Sequence, residues 1–329
     1  MRTPVRSVEL PTASDLDQAL RAVREHLAPT PLLPSPVAPD TYLKLECLTP
    51  AGSFKIRGAL AALAALTDEE RAAGVVTASA GNHALGVLHA AAVLGVDTTV
   101  VVPRTASPAK VSKLRRLGGH LIEAGDDYDE AEAHALSLAR RAGHYLSPYN
   151  DPHVIAGQAT IGPEIRAVLD GPLTVIAPVG GGGLLAGLSL WAVTEEGVDV
   201  VGVESVASRG LSAAVDAGEI VTVPVGPTLA DGLAGNLEPG SITPSIIADH
   251  AAVLTSVDEA EIRTAIRYLA EEHGLVVEGS GAVGLAAVLA GKVTLAGPAV
   301  VVITGRNIAM PTFAEVLSSA ATSALGWPS

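Results

Sequence analysis

Val175-Ile176-Ala177-Pro178-Val179-Gly180-Gly181-Gly182-Gly183-Leu184 is an apolar run, rich in β-branched residues, that ends in four successive glycines. The β-branched residues favour a strand and the glycines permit a tight turn, while Leu184 to Thr194 reads as a helix. A strand passing through a glycine turn into a helix is the building unit of α/β folds. It is also an anion site, because glycine lets backbone N–H groups converge where the helix N-terminus adds partial positive charge. A phosphate fits there without any lysine or arginine.

The same alternation extends outward along the chain. Candidate strands are Tyr42–Glu46, Gly74–Thr77, Thr98–Val102, His120–Glu123, Leu173–Ala177, Val200–Val203, Ala251–Thr255 and Ala299–Ile303. Between them lie candidate helices at Leu60–Leu66, His83–Leu94, Pro108–Leu117, Tyr128–Ala142, Gly157–Leu169, Leu184–Thr194, Asp258–His273 and Ala282–Leu289. Several strands are apolar throughout, as expected of a parallel sheet covered by helices on both faces. The pattern predicts an α/β protein with one or two wound sheets.

The chain has 329 residues, enough for a sizeable core in one or two domains. Lys plus Arg number 21 and Asp plus Glu 35, and the net charge of −14 argues against nucleic acid and anionic membranes as partners. With 48% hydrophobic and 17% charged residues, the chain is too apolar to be disordered. The single cysteine, Cys47, excludes an intramolecular disulfide and a cysteine-built zinc site. The N-terminus is charged early and has no apolar core of a secretory signal. Leu173 to Val193 is 21 uncharged residues long, enough to span a bilayer, but Pro178 and the glycines inside it favour strand, loop and helix. These features predict a soluble, cytoplasmic protein, with Leu325 to Ser329 as a tail.

The glycine loop admits three readings by itself. Gly181, Gly183 and Ala186 have the G-x-G-x-x-A spacing of a dinucleotide site, and Glu204 follows a second apolar strand where an acidic residue would hold a ribose. That reading gives a nicotinamide-dependent oxidoreductase. The others are a structural turn without ligand and a site for a single-phosphate cofactor.

Leu43-Lys44-Leu45-Glu46-Cys47-Leu48-Thr49-Pro50-Ala51-Gly52-Ser53-Phe54-Lys55-Ile56-Arg57-Gly58-Ala59 separates them. Lys55 follows a Gly-Ser turn in an apolar setting where a helix begins. Desolvation and a helix N-terminus both lower a lysine pKa and free the amine as a nucleophile. The run Gly52 to Ala59 closely resembles the cofactor-lysine motif of the pyridoxal-phosphate enzymes of the threonine/serine dehydratase and serine racemase group. The resemblance continues in order through Ser79-Ala80-Gly81-Asn82-His83, Ala156 to Gly162, Gly180 to Gly183, Thr228 to Gly232, Glu278 to Gly284 and Thr304-Gly305-Arg306-Asn307. It covers about residues 27 to 310.

The resemblance implies a fold type II enzyme, tryptophan synthase beta-like, with two wound parallel-sheet domains. Residues 1–68 and 149–329 would form the large cofactor domain, and residues 69–148 a small mobile domain that closes over substrate. Lys55 would hold pyridoxal phosphate as a Schiff base and act as the base at the substrate α-carbon. Phe54 would pack beside the ring, Asn82 would reach its phenolic oxygen, and the amides of Gly180, Gly181, Gly182, Gly183 and Leu184 would take the phosphate. Ser79, Ala80, Gly81, Asn82 and His83 would form the substrate-carboxylate loop. Thr304 would face the pyridine nitrogen, where a hydroxyl gives a weaker electron sink than a carboxylate and favours prompt β-elimination.

The implied activity is dehydration and deamination of a β-hydroxy amino acid, L-threonine or L-serine, to a 2-oxo acid and ammonia by a homodimer. The same family resemblance leaves racemisation and β-replacement open as outcomes. Racemases of the group carry a serine where this chain has Ala80, which has no proton to give. Their divalent-cation site uses a Glu and, six residues on, an Asp. Here Glu204 is followed by Gly210 at that position, so no metal is expected and Glu204 is read as solvated. The usual Ser-Gly-Gly-Asn is Thr304-Gly305-Arg306-Asn307, so Arg306 is either a structural ion pair or a contact for a second acidic group on a bulkier or acidic substrate. Biosynthetic threonine dehydratases carry a C-terminal regulatory domain for which the sequence leaves no room.

Overall fold

The computed structural model describes residues 6–141, 143–250 and 253–319. The chain opens with α1 (Ala13–His26), started by a capping box between Thr12 and Asp15. β1 (Leu32–Ser35) and β2 (Thr41–Lys44) pair antiparallel, and α2 (Lys55–Ala64) and α3 (Asp68–Ala73) follow. Strand and helix then alternate through β3 (Val75–Ala78), α4 (Asn82–Leu94), β4 (Thr98–Val102), α5 (Pro108–Arg115), β5 (His120–Glu123), α6 (Tyr128–Ala139) and β6 (His144–Tyr145). Next come α7 (Pro152–Ala159), α8 (Ile161–Arg166), β7 (Leu173–Pro178), α9 (Gly183–Ala192), β8 (Val198–Ser205) and α10 (Gly210–Ala217). The remainder is α11 (Thr243–Asp249), β9 (Val253–Val257), α12 (Glu259–His273), α13 (Gly279–Leu289), β10 (Ala299–Val302) and α14 (Met310–Ser318).

The strands form two sheets: a six-stranded one in the order β1-β2-β10-β7-β8-β9 and a four-stranded one in the order β5-β4-β3-β6. Every pairing is parallel except β1 with β2. β10 is central and wholly buried, and its alternation serves two cores. Val301, opposite Leu43 and Ile176, packs with Ile262 and Leu269 of α12 and Val283 and Leu285 of α13. Val300 and Val302 face the other way, into the cluster of Val175 with Leu185 and Leu188 of α9. Each such side chain, fully buried, contributes about 1.5–3 kcal/mol.

The predicted strands at Thr98–Val102 and His120–Glu123 coincide with β4 and β5. The strand expected at Ala251 begins on residues outside those described and is seen as β9. Ala142, the expected tail at Leu325 to Ser329 and the first residues of the chain also lie outside them. The helix expected from Leu60 begins at Lys55. Gly58 in its middle reads as a breaker but serves close packing: a Cβ there would lie 3.0 Å from the Val154 carbonyl, and one on Gly157 would lie 2.6 Å from that of Arg57. The helix expected over Gly157–Leu169 is two. Asp151 caps α7 by accepting from His153 and Val154 N–H, and Pro163 has no N–H to continue that ladder. The short β1 and β6, and α1, α3, α10, α11 and α14, were not expected. The long uncharged run divides into β7, the glycine turn and α9, and among the described residues no helix is long and apolar enough to cross a membrane.

Candidate active site

Lys55 opens α2 after a tightly stitched turn. Gly52 N–H donates to Thr49 O, Ser53 N–H to Thr49 Oγ1, and Thr49 Oγ1 to Ser53 O. Gly52 has φ +73°, a conformation that favours glycine. Phe54 N–H donates to Thr304 O and Arg306 N–H to Gly52 O, so this turn and the end of β10 are one unit. Lys55 Nζ donates to Pro148 O at 2.8 Å and lies 5.1 Å from the Phe54 ring centroid. Burial pulls its pKa down to about 8, which leaves a sizeable fraction of neutral amine near neutral pH.

Arg57, two residues further along α2, is fully buried. It forms paired hydrogen bonds of 2.7–2.8 Å to both Glu46 and Glu164, and Lys44 Nζ joins Glu164 at 2.6 Å. These charges tie α2 to β2 and α8 and balance within the core.

The expected carboxylate loop lies between β3 and α4. Ser79 Oγ accepts from Gly81 N–H at 3.1 Å, and Gly81 caps α4 without a side-chain hydrogen bond. Ala80 packs partly buried against the cluster of Leu85 and Val102. Asn82 donates to Glu278 Oε1 at 2.5 Å and accepts from Asn307 Nδ2 at 2.6 Å. His83 is buried with Nε2 3.3 Å from Leu146 O. Burial, with the Lys55 charge nearby, lowers its pKa to about 3, so the ring is neutral.

The glycine loop runs from β7 into α9. Gly182, at φ +85°, caps α9 with no side chain to satisfy its first amides. A Cβ on Gly181 would lie 2.4 Å from the Tyr149 ring, and one on Gly180 2.9 Å from Leu233 Cα, so the loop backbone sits flat on its supports. Thr243 Oγ1 donates to Gly181 O at 2.7 Å, and Leu184 is buried behind the turn.

Thr304 is buried, and its Oγ1 makes only a long 3.5 Å contact to Ser280 O, which leaves the hydroxyl available to a ring nitrogen. Arg306 is exposed and, among the described residues, forms no ion pair, so the structural ion-pair reading fails. Glu204 corrects a second expectation. It is buried, not solvated, and caps α10 by accepting from the Leu211 and Ser212 amides and from Ser212 Oγ. A carboxylate so engaged is not presented to a ribose, which removes the support for the dinucleotide reading.

Tyr149 and the Pro148 carbonyl belong to this site and escape the sequence reading, while Glu278 and Asn307 stand in its motifs without a role. Asn307 carried a signal, since it closes the Thr304 motif. Pro148 and Tyr149 carried none, because their contacts span nearly a hundred residues. The set of a depressed lysine, uncapped helix amides, a buried free hydroxyl and a turn of backbone donors fits pyridoxal phosphate.

Comparison with known proteins agrees. The model of the pyridoxal-phosphate dependent enzyme family matches residues 23–305. The chain is 42% identical to L-threonine ammonia-lyase of Thermotoga maritima over 306 residues, 90% of this chain and 76% of that one. It superposes on the processed form of threonine deaminase isoform 2 from Solanum lycopersicum with a TM-score of 0.86 at 31% identity, covering 97% of this chain and 100% of that one. Maize serine racemase gives a TM-score of 0.86 at 30% identity, over 93% of this chain and 97% of that one.

Proposed function

The chain belongs to the pyridoxal-phosphate dependent enzymes and is a lyase of the dehydratase kind; from that footing we propose that its substrate is L-threonine or L-serine, converted to a 2-oxo acid and ammonia. The observation that carries this is the buried Lys55 amine at the start of α2, which donates to Pro148 O at 2.8 Å and whose pKa burial lowers to about 8.

In this reading Lys55 would hold the cofactor through its amine, the amides from Gly180 to Leu184 would take the phosphate, Phe54 would lie by the ring, and Thr304 and Asn82 would meet the ring nitrogen and the phenolic oxygen. Bound pyridoxal phosphate supplies the electron sink that acidifies the substrate Cα–H. Ser79 and the backbone around Ala80, Gly81 and His83 orient the substrate carboxylate at the start of α4. The Lys55 amine, whose pKa burial lowers to about 8, would take the Cα proton as general base. Loss of the β-hydroxyl together with one proton, matching the Cα proton that Lys55 takes, would release water, and hydrolysis of the remaining enamine would give the 2-oxo acid and ammonia.

Residues 69–148, built on the four-stranded sheet, form the smaller domain that closes over substrate, and residues 1–68 with 149–329 form the larger one. Two lysines of α5 support closure: Lys110 meets Asp231 at 2.9 Å, and Lys113 bonds Asn307. Closing would exclude water before the elimination. Family likeness supports a homodimer, and a single buried cysteine suits the reducing cytoplasm. Purified protein loaded with pyridoxal phosphate should release 2-oxo acid from L-threonine and L-serine, and Lys55→Ala should release none. A wild-type protein that shows the cofactor's visible band yet releases no 2-oxo acid from either would overturn the substrate assignment.

A further inference from the structure

Four side chains form a hydrogen-bond relay that passes back and forth between the units built on the two sheets. Lys113 of α5 donates from Nζ to Asn307 Oδ1, Asn307 Nδ2 donates to Asn82 Oδ1 at 2.6 Å, and Asn82 Nδ2 donates to Glu278 Oε1 at 2.5 Å. Lys113 and Asn82 stand on helices beside the four-stranded sheet, while Asn307 follows β10 and Glu278 precedes α13 beside the six-stranded one. All these bonds point the same way. A lysine ammonium can only donate and a carboxylate can only accept, so the two ends of the relay agree on one orientation for both amides between them. Aligned bonds of this kind also polarise one another.

The relay leaves one donor open. Asn307 has none to spare, because its oxygen takes Lys113 and its amino group serves Asn82 and, at 3.1 Å, Ala51 O. Asn82 spends its oxygen on Asn307 and one N–H on Glu278, and its second N–H has no partner among the described residues. The Asn82 amide sits beside the lysine turn. A Cβ on Gly305 would lie 3.2 Å from Asn82 Nδ2, and Gly305 pairs with Ser53, just ahead of Phe54 and Lys55. One turn along α4 from Asn82, a Cβ on Gly86 would lie 2.8 Å from the Lys55 carbonyl carbon. Asn82 is the residue that would meet the cofactor's phenolic oxygen, and a donor there favours the ionised form of that oxygen. Without Lys113, only the 3.1 Å bond to Ala51 O would hold the Asn307 side chain from outside the relay, and the charge-assisted bond would be gone.

Resting on that assignment of Asn82, we propose that Lys113 is a positioning residue for the cofactor: acting through Asn307, it holds Asn82 with its open N–H toward the phenolic oxygen. The test takes the resting holoenzyme without substrate, at one pH. It reads the ratio of the cofactor's visible band, from the ionised phenol, to its near-ultraviolet band, from the neutral one. Asn82→Ala sets the scale and should lower the ratio about tenfold, the size of one lost hydrogen bond to a charged oxygen. Lys113 is exposed on α5, so its replacements leave the core as it is. Lys113→Met should lower the ratio at least about threefold, since it slackens the relay without removing Asn82. Lys113→Arg keeps a donor and should restore the ratio to within about twofold of wild type. In an Asn307→Ala background, Lys113→Met should change nothing further. An unmoved ratio in Lys113→Met beside a lowered one in Asn82→Ala overturns the inference and leaves the Asn82 assignment standing. An equal drop with and without Asn307 also overturns it, because the lysine charge would then act through space. A ratio unmoved by Asn82→Ala overturns the assignment of Asn82 to the phenolic oxygen, and the inference with it.

Discussion

Asn82 Nδ2 lies 2.5 Å from Oε1 of Glu278, joining the first residue of α4 to the residue that precedes α13. Asn307 closes the set: its N–H donates to Glu278 Oε2 at 3.1 Å and its side chain to Asn82 Oδ1 at 2.6 Å. The orientation of the Asn82 amide is therefore fixed from both ends. A side chain assigned to the cofactor's phenolic oxygen gains direction from two residues carried by the six-stranded sheet. The four-stranded sheet and its neighbour thus meet through hydrogen bonds at the candidate site itself.

Glu278 gives the pair a pH signature. Burial raises its pKa to about 7 from 4.5, against the pull of the Asn82 and Asn307 donors. The folded protein therefore binds this proton more tightly than the unfolded chain. The contribution is full below about 4.5, shrinks as pH rises, and is gone above about 7, a span worth up to roughly 3 kcal/mol. Glu278→Gln cannot ionise and should lose this slope. Urea midpoints of wild type should fall relative to the variant as pH rises from about 5 to about 8. Parallel profiles would show that burial does not control this carboxyl.

Arg57 should be far less replaceable than an exposed arginine. Arg57→Met leaves Glu46 and Glu164 buried with Lys44 as the remaining cation at Glu164, and such a break costs about 3–5 kcal/mol. Arg166, which pairs with Glu195 near the surface, should cost under about 1 kcal/mol when replaced by methionine. Equilibrium unfolding of both variants compares them directly. A loss under about 1 kcal/mol for Arg57→Met would mean that water enters and repairs the site.

The glycine turn makes a prediction about cofactor affinity. Alanine at position 182 must adopt φ +85°, at a cost of about 1–2 kcal/mol, and its Cβ would meet Thr243 at 2.9 Å. Alanine at position 183 would press on the Tyr149 backbone at 2.9 Å. Both changes move the amides that open α9, so both variants should keep their circular dichroism and bind pyridoxal phosphate at least about tenfold more weakly. Unchanged affinity in both would place the phosphate elsewhere.

The strand–helix alternation of the chain and the lysine and glycine segments were legible in the sequence because each is local. A strand such as Thr98–Val102 is apolar on both faces wherever it sits, and a glycine turn needs its glycines whatever surrounds them. The extent of α2 was not legible, since Gly58 reads as a breaker until α7 is packed against it. Glu204 shows the same limit from the other side. An acidic residue at the end of a strand looks like a ribose ligand or a solvated charge until a helix start at Leu211 folds over it.

Ala80 predicts elimination without racemisation. Racemases of the group resembled here place a serine at this position, where its hydroxyl acts on the face of the substrate opposite the lysine. Alanine has no such proton, so wild type should form 2-oxo acid from L-serine with no measurable D-serine. Ala80→Ser restores the hydroxyl, and Gly81 N–H, already bound to Ser79 Oγ, does not compete for it. The loop position is only partly buried, so one added oxygen is tolerated. The variant should raise D-serine formation at least about tenfold, as expected of a positioned acid–base group, while Lys55→Ala in the same background abolishes it. Chiral chromatography of the reaction resolves both products. D-Serine from wild type at rates near those of 2-oxo acid would show that the proton reaches that face without a side-chain hydroxyl at position 80, and the prediction would fall.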